Sequence, residues 1–155
     1  MMRQGMQQNF KLQEIRTHGC YFLSLCKIAE LLREEQGLPG FSDDDIIGFY
    51  QHSLAQRWII TGMRDFNGRQ QHVTCFIENG VAILNYLQDH TVFRTKTHER
   101  NLPNAKYYVV FFDDGKPLTH FAVGSGDKVI WDSWAPTALE RGRRLATANP
   151  YRWFR

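Results

Sequence analysis

The sequence lacks any apolar run near the roughly 18 residues that crossing a bilayer requires. Its first twenty residues hold no apolar stretch able to act as a signal-peptide core, so a cytoplasmic location is the expectation. Cysteine is scarce. Cys20, Cys26 and Cys75 make an odd number in a chain large enough to bury a core, which argues against a disulfide framework and leaves free thiols to explain. The six histidines and three cysteines show no CxxC, HxxxH or HExxH spacing, so a zinc site is not expected. There is no GxGxxG or Walker-type loop either; Gly124-Ser125-Gly126 suits a hairpin turn better than a phosphate cradle, and no cofactor is expected. No internal repeat, low-complexity tract or long linker marks a domain boundary.

What is present is ordinary globular material. With 43% hydrophobic and 23% charged residues, the chain is far from disordered compositions, and 155 residues are enough for one core and little more, so residues 1–155 read as a single domain. The net charge of +3 is unevenly placed. Residues 141–155 contain Arg141, Arg143, Arg144, Arg152 and Arg155 and no acid, so the first 140 residues sum to −2. A basic nucleic-acid face across the domain is thereby unsupported, and nucleic acid is an unlikely partner. The segment reads as a solvated terminal strand with outward arginines, although Tyr151, Trp153 and Phe154 supply stacking rings between them.

The first half has helical periodicity. From Cys20, the apolar positions Phe22, Leu23, Leu25, Cys26, Ile28, Ala29, Leu31 and Leu32 form a broad helical face that stops at Gly37, Pro39 and Gly40. Ser42 before Asp43, Asp44 and Asp45 is an N-cap with acids in the first turn, and Ile46, Ile47, Phe49, Tyr50 and Leu54 supply the buried face of a second helix. A shorter helix begins after Asn79; residues 57–78 carry no clear pattern. The second half turns to strands: Lys106 to Phe112, Leu118 to Gly124, and Val129 to Trp131, with turn signals between them. Helices followed by hairpin-linked strands predict an α+β domain with an antiparallel sheet.

Cys20 follows Gly19 at the start of the first long helix, where free backbone N–H groups and the helix dipole favour a thiolate. Cys26 falls on the apolar face, and both it and Cys75 read as small buried hydrophobes. Among the histidines, His18, His52, His72, His90 and His98 have no patterned partner, whereas His120 lies in a strand. Twelve residues later, across a turn centred on Ser125-Gly126, the next strand ends at Asp132, placing His120 and Asp132 roughly opposite each other. A carboxylate there orients one imidazole nitrogen and leaves the other for a thiol proton. Cysteine on a helix start with a His–Asp pair on neighbouring strands is an activated-nucleophile arrangement.

Gln13, Gly19-Cys20 opening a hydrophobic helix, Thr119-His120-Phe121-Ala122-Val123 and Ile130-Trp131-Asp132-Ser133 together resemble the papain-like fold of the bacteriocin-processing (double-glycine leader) cysteine peptidases, and a small bacterial family of papain-like proteins. The resemblance spans roughly residues 10 to 135. It implies Cys20 as nucleophile, His120 as general base and acid, Asp132 as the orienter of His120, and Gln13 as a side-chain donor to the oxyanion hole. It implies a hydrolase acting on a peptide or protein through a thioester. Two alternatives stay open: a catalytically inactive papain-like module that binds peptides or proteins, since Tyr21 beside the cysteine could obstruct the groove, and a transglutaminase-like acyl transferase with the same residue order.

Overall fold

Helix α2 (Cys20–Glu34) is the element around which the others pack, and its composition explains why. Phe22, Leu23, Leu25, Cys26, Ile28 and Ala29 are all buried, so its first turns are apolar on nearly every side and must be surrounded. Strands cover it on one side, and helices α1 (Gln13–His18) and α4 (Gly80–Leu87) pack on others. Glu30 is the polar exception. Its buried carboxylate accepts from Lys27 Nζ and the Phe41 N–H, each at 2.8 Å, and from the Met2 N–H at 3.0 Å. An unpartnered carboxylate there would be strongly destabilising, so these donors tie the start of the chain and the α2–α3 connection to the helix. The computed structural model describes residues 1–88, the backbone of 94–97, and 106–154; His90, His98 and Arg155 lie outside the described residues.

Helix α3 (Asp43–Ala55) starts at a reciprocal capping box: Ser42 Oγ accepts from the Asp45 N–H, and Asp45 returns a carboxylate to the Ser42 N–H. Helix α4 is capped by Asn79, whose side chain accepts from the Ala82 N–H at 3.0 Å. Between them, the stretch without a sequence pattern folds into an antiparallel ribbon of β1 (Ile59–Phe66) and β2 (Arg69–Ile77). Asn67 (φ 55°) and Gly68 (φ 86°) are both left-handed, which is the two-residue turn that right-twisted strands require. The ribbon is only partly buried, so it has no strong apolar alternation, and the Asn-Gly pair is its clearest signature.

The main sheet is antiparallel, in the order β3 (Arg94–Thr97), β7 (Tyr151–Phe154), β4 (Tyr108–Phe112), β5 (His120–Ser125), β6 (Lys128–Trp131). The α+β class and the antiparallel sheet are as expected. Strand alternation sends Val109, Phe121 and Val123 to the face under α2, and Tyr108, Val110, Phe112, Ala122, Tyr151 and Trp153 to a second cluster on the far face.

The C-terminal segment departs from its expected form. β7 is not a solvated edge: it lies between β3 and β4 with Tyr151, Trp153 and Phe154 buried, so these rings are not available for base stacking. Arg143 is buried too, held by Asp114 at 3.1 Å and by the Leu118 carbonyl. The pairing holds the Asp114 carboxyl well below the usual carboxylate range. Of the segment's described arginines, Arg141 and Arg144 face solvent.

Candidate active site

The start of α2 is set by Gly19. α1 ends at His18 and α2 begins two residues on, and a Cβ at Gly19 would lie 2.5 Å from the Ile15 carbonyl oxygen and 2.7 Å from its Cα. Only glycine permits so close an approach of the two helices, and this approach delivers Cys20 to the first turn of α2. The sulfur rests against the end of β5, with the Phe121 and Tyr21 N–H groups directed to it.

Those donors do not produce a thiolate. Burial pushes the Cys20 thiol up to about 11, with the N–H groups of Phe121 and Tyr21 opposing the rise and the Asp132 carboxylate adding to it. The sequence expectation of a helix start that favours the thiolate is therefore reversed, because Cys20 is only 9% exposed and desolvation outweighs the local donors.

His120 opens β5 and is entirely buried. Its Nε2 lies 2.6 Å from Asp132 Oδ1. An ionised carboxylate only accepts, so Nε2 carries the proton and Nδ1 presents its lone pair; Nδ1 is buried and makes no hydrogen bond. Burial lowers the imidazole's pKa, with Asp132 opposing and the Arg143 and Arg141 charges reinforcing the fall. The Trp134 indole stacks on the ring at 3.6 Å between centroids and 19° between planes.

Asp132 is held at both oxygens. Oδ1 accepts from the Trp134 N–H and Oδ2 from the Ala138 N–H, each at 2.8 Å. It reaches His120 by a path slightly different from the symmetric hairpin expected. Ser125 pairs with Lys128 and Gly124 with Val129, but Val123 pairs with Trp131, so Ile130 is an extra residue in β6 and Asp132 approaches His120 diagonally. The N-terminal segment completes this support. The Gly5 and Gln7 N–H groups donate to the Asp132 and Ser133 carbonyls at 3.0 Å, and Gln4 Oε1 accepts from the Asp132 N–H at 2.7 Å.

The structure thus brings His120 and Asp132 into direct contact and sets Cys20 beside the residue that follows His120. No hydrogen bond joins Cys20 to His120. Alternation explains it: the imidazole falls on the far face of the sheet with Phe112, while α2 packs on the near face, so the two groups lie on either side of the end of β5. A cleft of about 570 Å³ is lined by Cys20, Tyr21, Thr119, Phe121 and Trp134 among others; His120 is not a lining residue but lies behind Trp134, which stacks on it.

Gln13 is not in this cleft. It is an exposed residue in the first turn of α1, and the glutamine that does line the cleft is Gln7. Gln7 is 2% exposed; its Oε1 accepts from Ser133 Oγ, and its Nε2 donates one proton to the Arg16 carbonyl at 3.3 Å, leaving a second. Its sequence signal was a polar residue in an uncharged stretch, Gln4 to Gln8, which carries no periodicity.

Cys75 also differs from expectation. It is buried but not apolar in its surroundings: Sγ lies 3.4 Å from both the Glu14 carbonyl and the Tyr50 hydroxyl, the backbone is left-handed at φ 52°, and the residue lines the same cleft as Cys20. Burial pushes its thiol up to about 12, and that of Cys26, which lies inside the core, well above the ordinary value. All three cysteines are free.

Among the described residues, no group of three or more His, Cys, Asp or Glu side chains is placed to hold a metal ion, and no helix is long and apolar enough to cross a membrane. Comparison with family models, curated proteins and solved structures finds no match.

Proposed function

We propose that this chain is a cysteine hydrolase of papain-like fold that cleaves peptide bonds, with Cys20 as nucleophile, His120 as base and acid, and Asp132 as the orienter of His120. The observation that carries the reading is the His120 ring: Nε2 bound to Asp132 and Nδ1 buried with its lone pair free, one residue behind the wall of a cleft that Cys20, Thr119 and Phe121 line. A purely structural histidine gains nothing from an unsatisfied buried nitrogen, whereas a general base needs one.

Burial disfavours charge on both groups, so the resting pair is a neutral thiol and a neutral imidazole. The mechanism requires that substrate binding bring Nδ1 and the thiol, which lie on either side of the end of β5, into hydrogen-bond reach. Nδ1 then takes the thiol proton as sulfur attacks the amide carbonyl, the C=O pair moves onto oxygen, and the oxyanion is met by the free Gln7 Nε2 proton and by N–H groups at the sulfur. Collapse breaks the C–N bond, and the imidazolium passes its proton to the leaving amine. Water, deprotonated by His120, hydrolyses the thioester to a carboxylic acid and returns the thiol. Asp132 stabilises the imidazolium throughout.

The test is turnover of peptide pools by wild type, Cys20→Ala, His120→Ala and Asp132→Asn, with mass spectrometry for an acyl adduct on Cys20. Adduct formation and loss of turnover in Cys20→Ala are expected; equal cleavage by Cys20→Ala overturns the proposal. An added amine acceptor separates the acyl transferase, in which a cross-linked product outpaces hydrolysis.

The absence of a Cys20–His120 hydrogen bond and the raised thiol pKa favour a second reading, a non-catalytic module that binds peptide in the same cleft. It predicts no turnover by wild type and unchanged peptide affinity in Cys20→Ala.

A further inference from the structure

Cleavage through a thioester needs a base twice, once for the thiol and once for water. His120 is poorly placed for the second task. It is fully buried, does not line the cleft, and lies behind Trp134, whose indole stacks on its ring. Water reaches a thioester on Cys20 from the cleft side. Among the described residues lining that cleft, His18 is the one with an imidazole, and it is exposed. His18 ends α1 and Cys20 starts α2, so the chain itself holds their Cα atoms no more than about 7 Å apart.

The hydrogen bonds around His18 fix its tautomer. Thr17 Oγ1 lies 2.8 Å from His18 Nδ1. A hydroxyl has a single proton, and Thr17 gives it to the Gln13 carbonyl, one helical turn back, at 2.9 Å. Towards His18 the hydroxyl therefore accepts, so in the neutral ring Nδ1 carries the proton and Nε2 the lone pair. Among the described residues, nothing is hydrogen-bonded to Nε2. An imidazole beside a nucleophile, oriented by a third group and with its basic nitrogen open, is the arrangement in which bases act. Here the third group is a hydroxyl, and the open nitrogen belongs to a residue that lines the cleft.

We propose that His18 is the general base for the hydrolytic water, a catalytic residue of the second half-reaction. This role rests on the hydrolase reading above and moves one step of it, the deprotonation of water, from His120 to His18. Nε2 takes a proton from water as the water oxygen bonds to the thioester carbon and the C=O pair moves onto oxygen. When that pair returns, the C–S bond breaks, and the sulfur leaves with its electrons and takes the proton from the His18 imidazolium. A carboxylic acid departs, and Cys20 and His18 are both neutral again.

The experiment uses the full chain and p-nitrophenyl acetate, whose leaving group departs without a proton. Excess ester is removed, and the acetyl group on Cys20 is followed by peptide mass spectrometry. In His18→Ala the adduct is expected to form as in wild type but to decay roughly 10²-fold or more slowly, the ordinary contribution of a general base. His18→Gln, which keeps a polar side chain that cannot take the proton, behaves like His18→Ala. Hydroxylamine attacks a thioester without help from a base, so it clears the adduct at one rate from wild type and both variants. In His120→Ala the adduct forms slowly and, once formed, decays near the wild-type rate. Decay in His18→Ala as fast as in wild type overturns the inference. So does an adduct in His18→Ala that also resists hydroxylamine, because His18 would then shape access only. Slow decay in His120→Ala with unchanged decay in His18→Ala returns the water to His120 and leaves the hydrolase reading standing. If Cys20 is not acetylated in wild type, the hydrolase reading itself fails, and the role of His18 with it.

Discussion

The two halves of the candidate site are built by different means. The acid–base half is fixed by polar contacts: Asp132 accepts from His120 and from the Trp134 and Ala138 N–H groups, and its backbone is bound on both sides by Gln4 and Gly5. The nucleophile half is fixed by packing. Gly19 sets the depth at which Cys20 enters, and the thiol is left neutral in a place where charge is unwelcome. The difference teaches where preorganisation is needed. In the proposed mechanism the imidazole must hold one tautomer and receive a positive charge, which demands oriented partners, whereas a thiol that gives up its proton only during attack needs little more than position.

The sharpest way to break this comparison is to remove the groups themselves. Cys20→Ala and His120→Ala each lower turnover on the order of 10⁴-fold or more, because members of such a unit are strongly non-additive. Near-equal losses in a steady-state peptide assay support the unit; a His120→Ala variant close to wild type separates the halves.

Next in size is the support of the imidazole. Asp132→Asn lowers kcat by roughly 10² to 10⁴-fold through loss of the tautomer and of the imidazolium's counter-charge. Asp132→Ala adds a loss of stability, about 1–3 kcal/mol for each buried N–H of Trp134 and Ala138 left without an acceptor, measurable by urea unfolding. Unchanged stability in Asp132→Ala would show that the polar half is less committed than its geometry implies.

Gln7→Ala lowers kcat by roughly 10 to 10³-fold, as expected for one oxyanion donor, while Gln13→Ala leaves kcat unaltered. The reverse order would restore the glutamine that the sequence pointed to.

The smallest effects are in thiol chemistry. Alkylation by iodoacetamide, mapped by peptide mass, follows the order Cys20, Cys75, Cys26, and the Cys20 rate rises with pH towards about 11 instead of levelling off near neutrality. A plateau at neutral pH would mean a standing thiolate–imidazolium pair. On the acid side, the lowered pKa of His120 keeps the base neutral below its ordinary value of 6.5, so activity persists past that point. Since the unfolded chain takes up that proton first, this group's share of stability is present above pH 6.5 and is lost as the pH falls through the window beneath it.

Much of the site was legible because its parts are local. His120 and Asp132 are twelve residues apart across one turn, and Cys20 is announced by a glycine before an apolar helix. Ser42 and Asn79 marked their helices for the same reason. What escaped depends on distant contacts. Gln7 reaches the cleft only because the loop after Asp132 folds back on it, the raised thiol pKa comes from burial, and Arg152 reads as solvated until β7 is seen between two other strands. The ribbon of β1 and β2 was missed although Asn67-Gly68 encodes its turn, because the flanking residues alternate too weakly to draw attention to it.

The position of β7 has a consequence in time. Ribosomes release a chain from its beginning, and here the strand that fills the gap between β3 and β4 emerges after every other strand of its sheet. Until it arrives, β4 has no neighbour on one side, and the wall carrying Arg152 does not exist. The glutamines near the start of the chain likewise wait more than a hundred residues for the Asp132 loop they clasp. A nascent chain of this protein would therefore carry Cys20 and His120 before the sheet wall beside the cleft had formed.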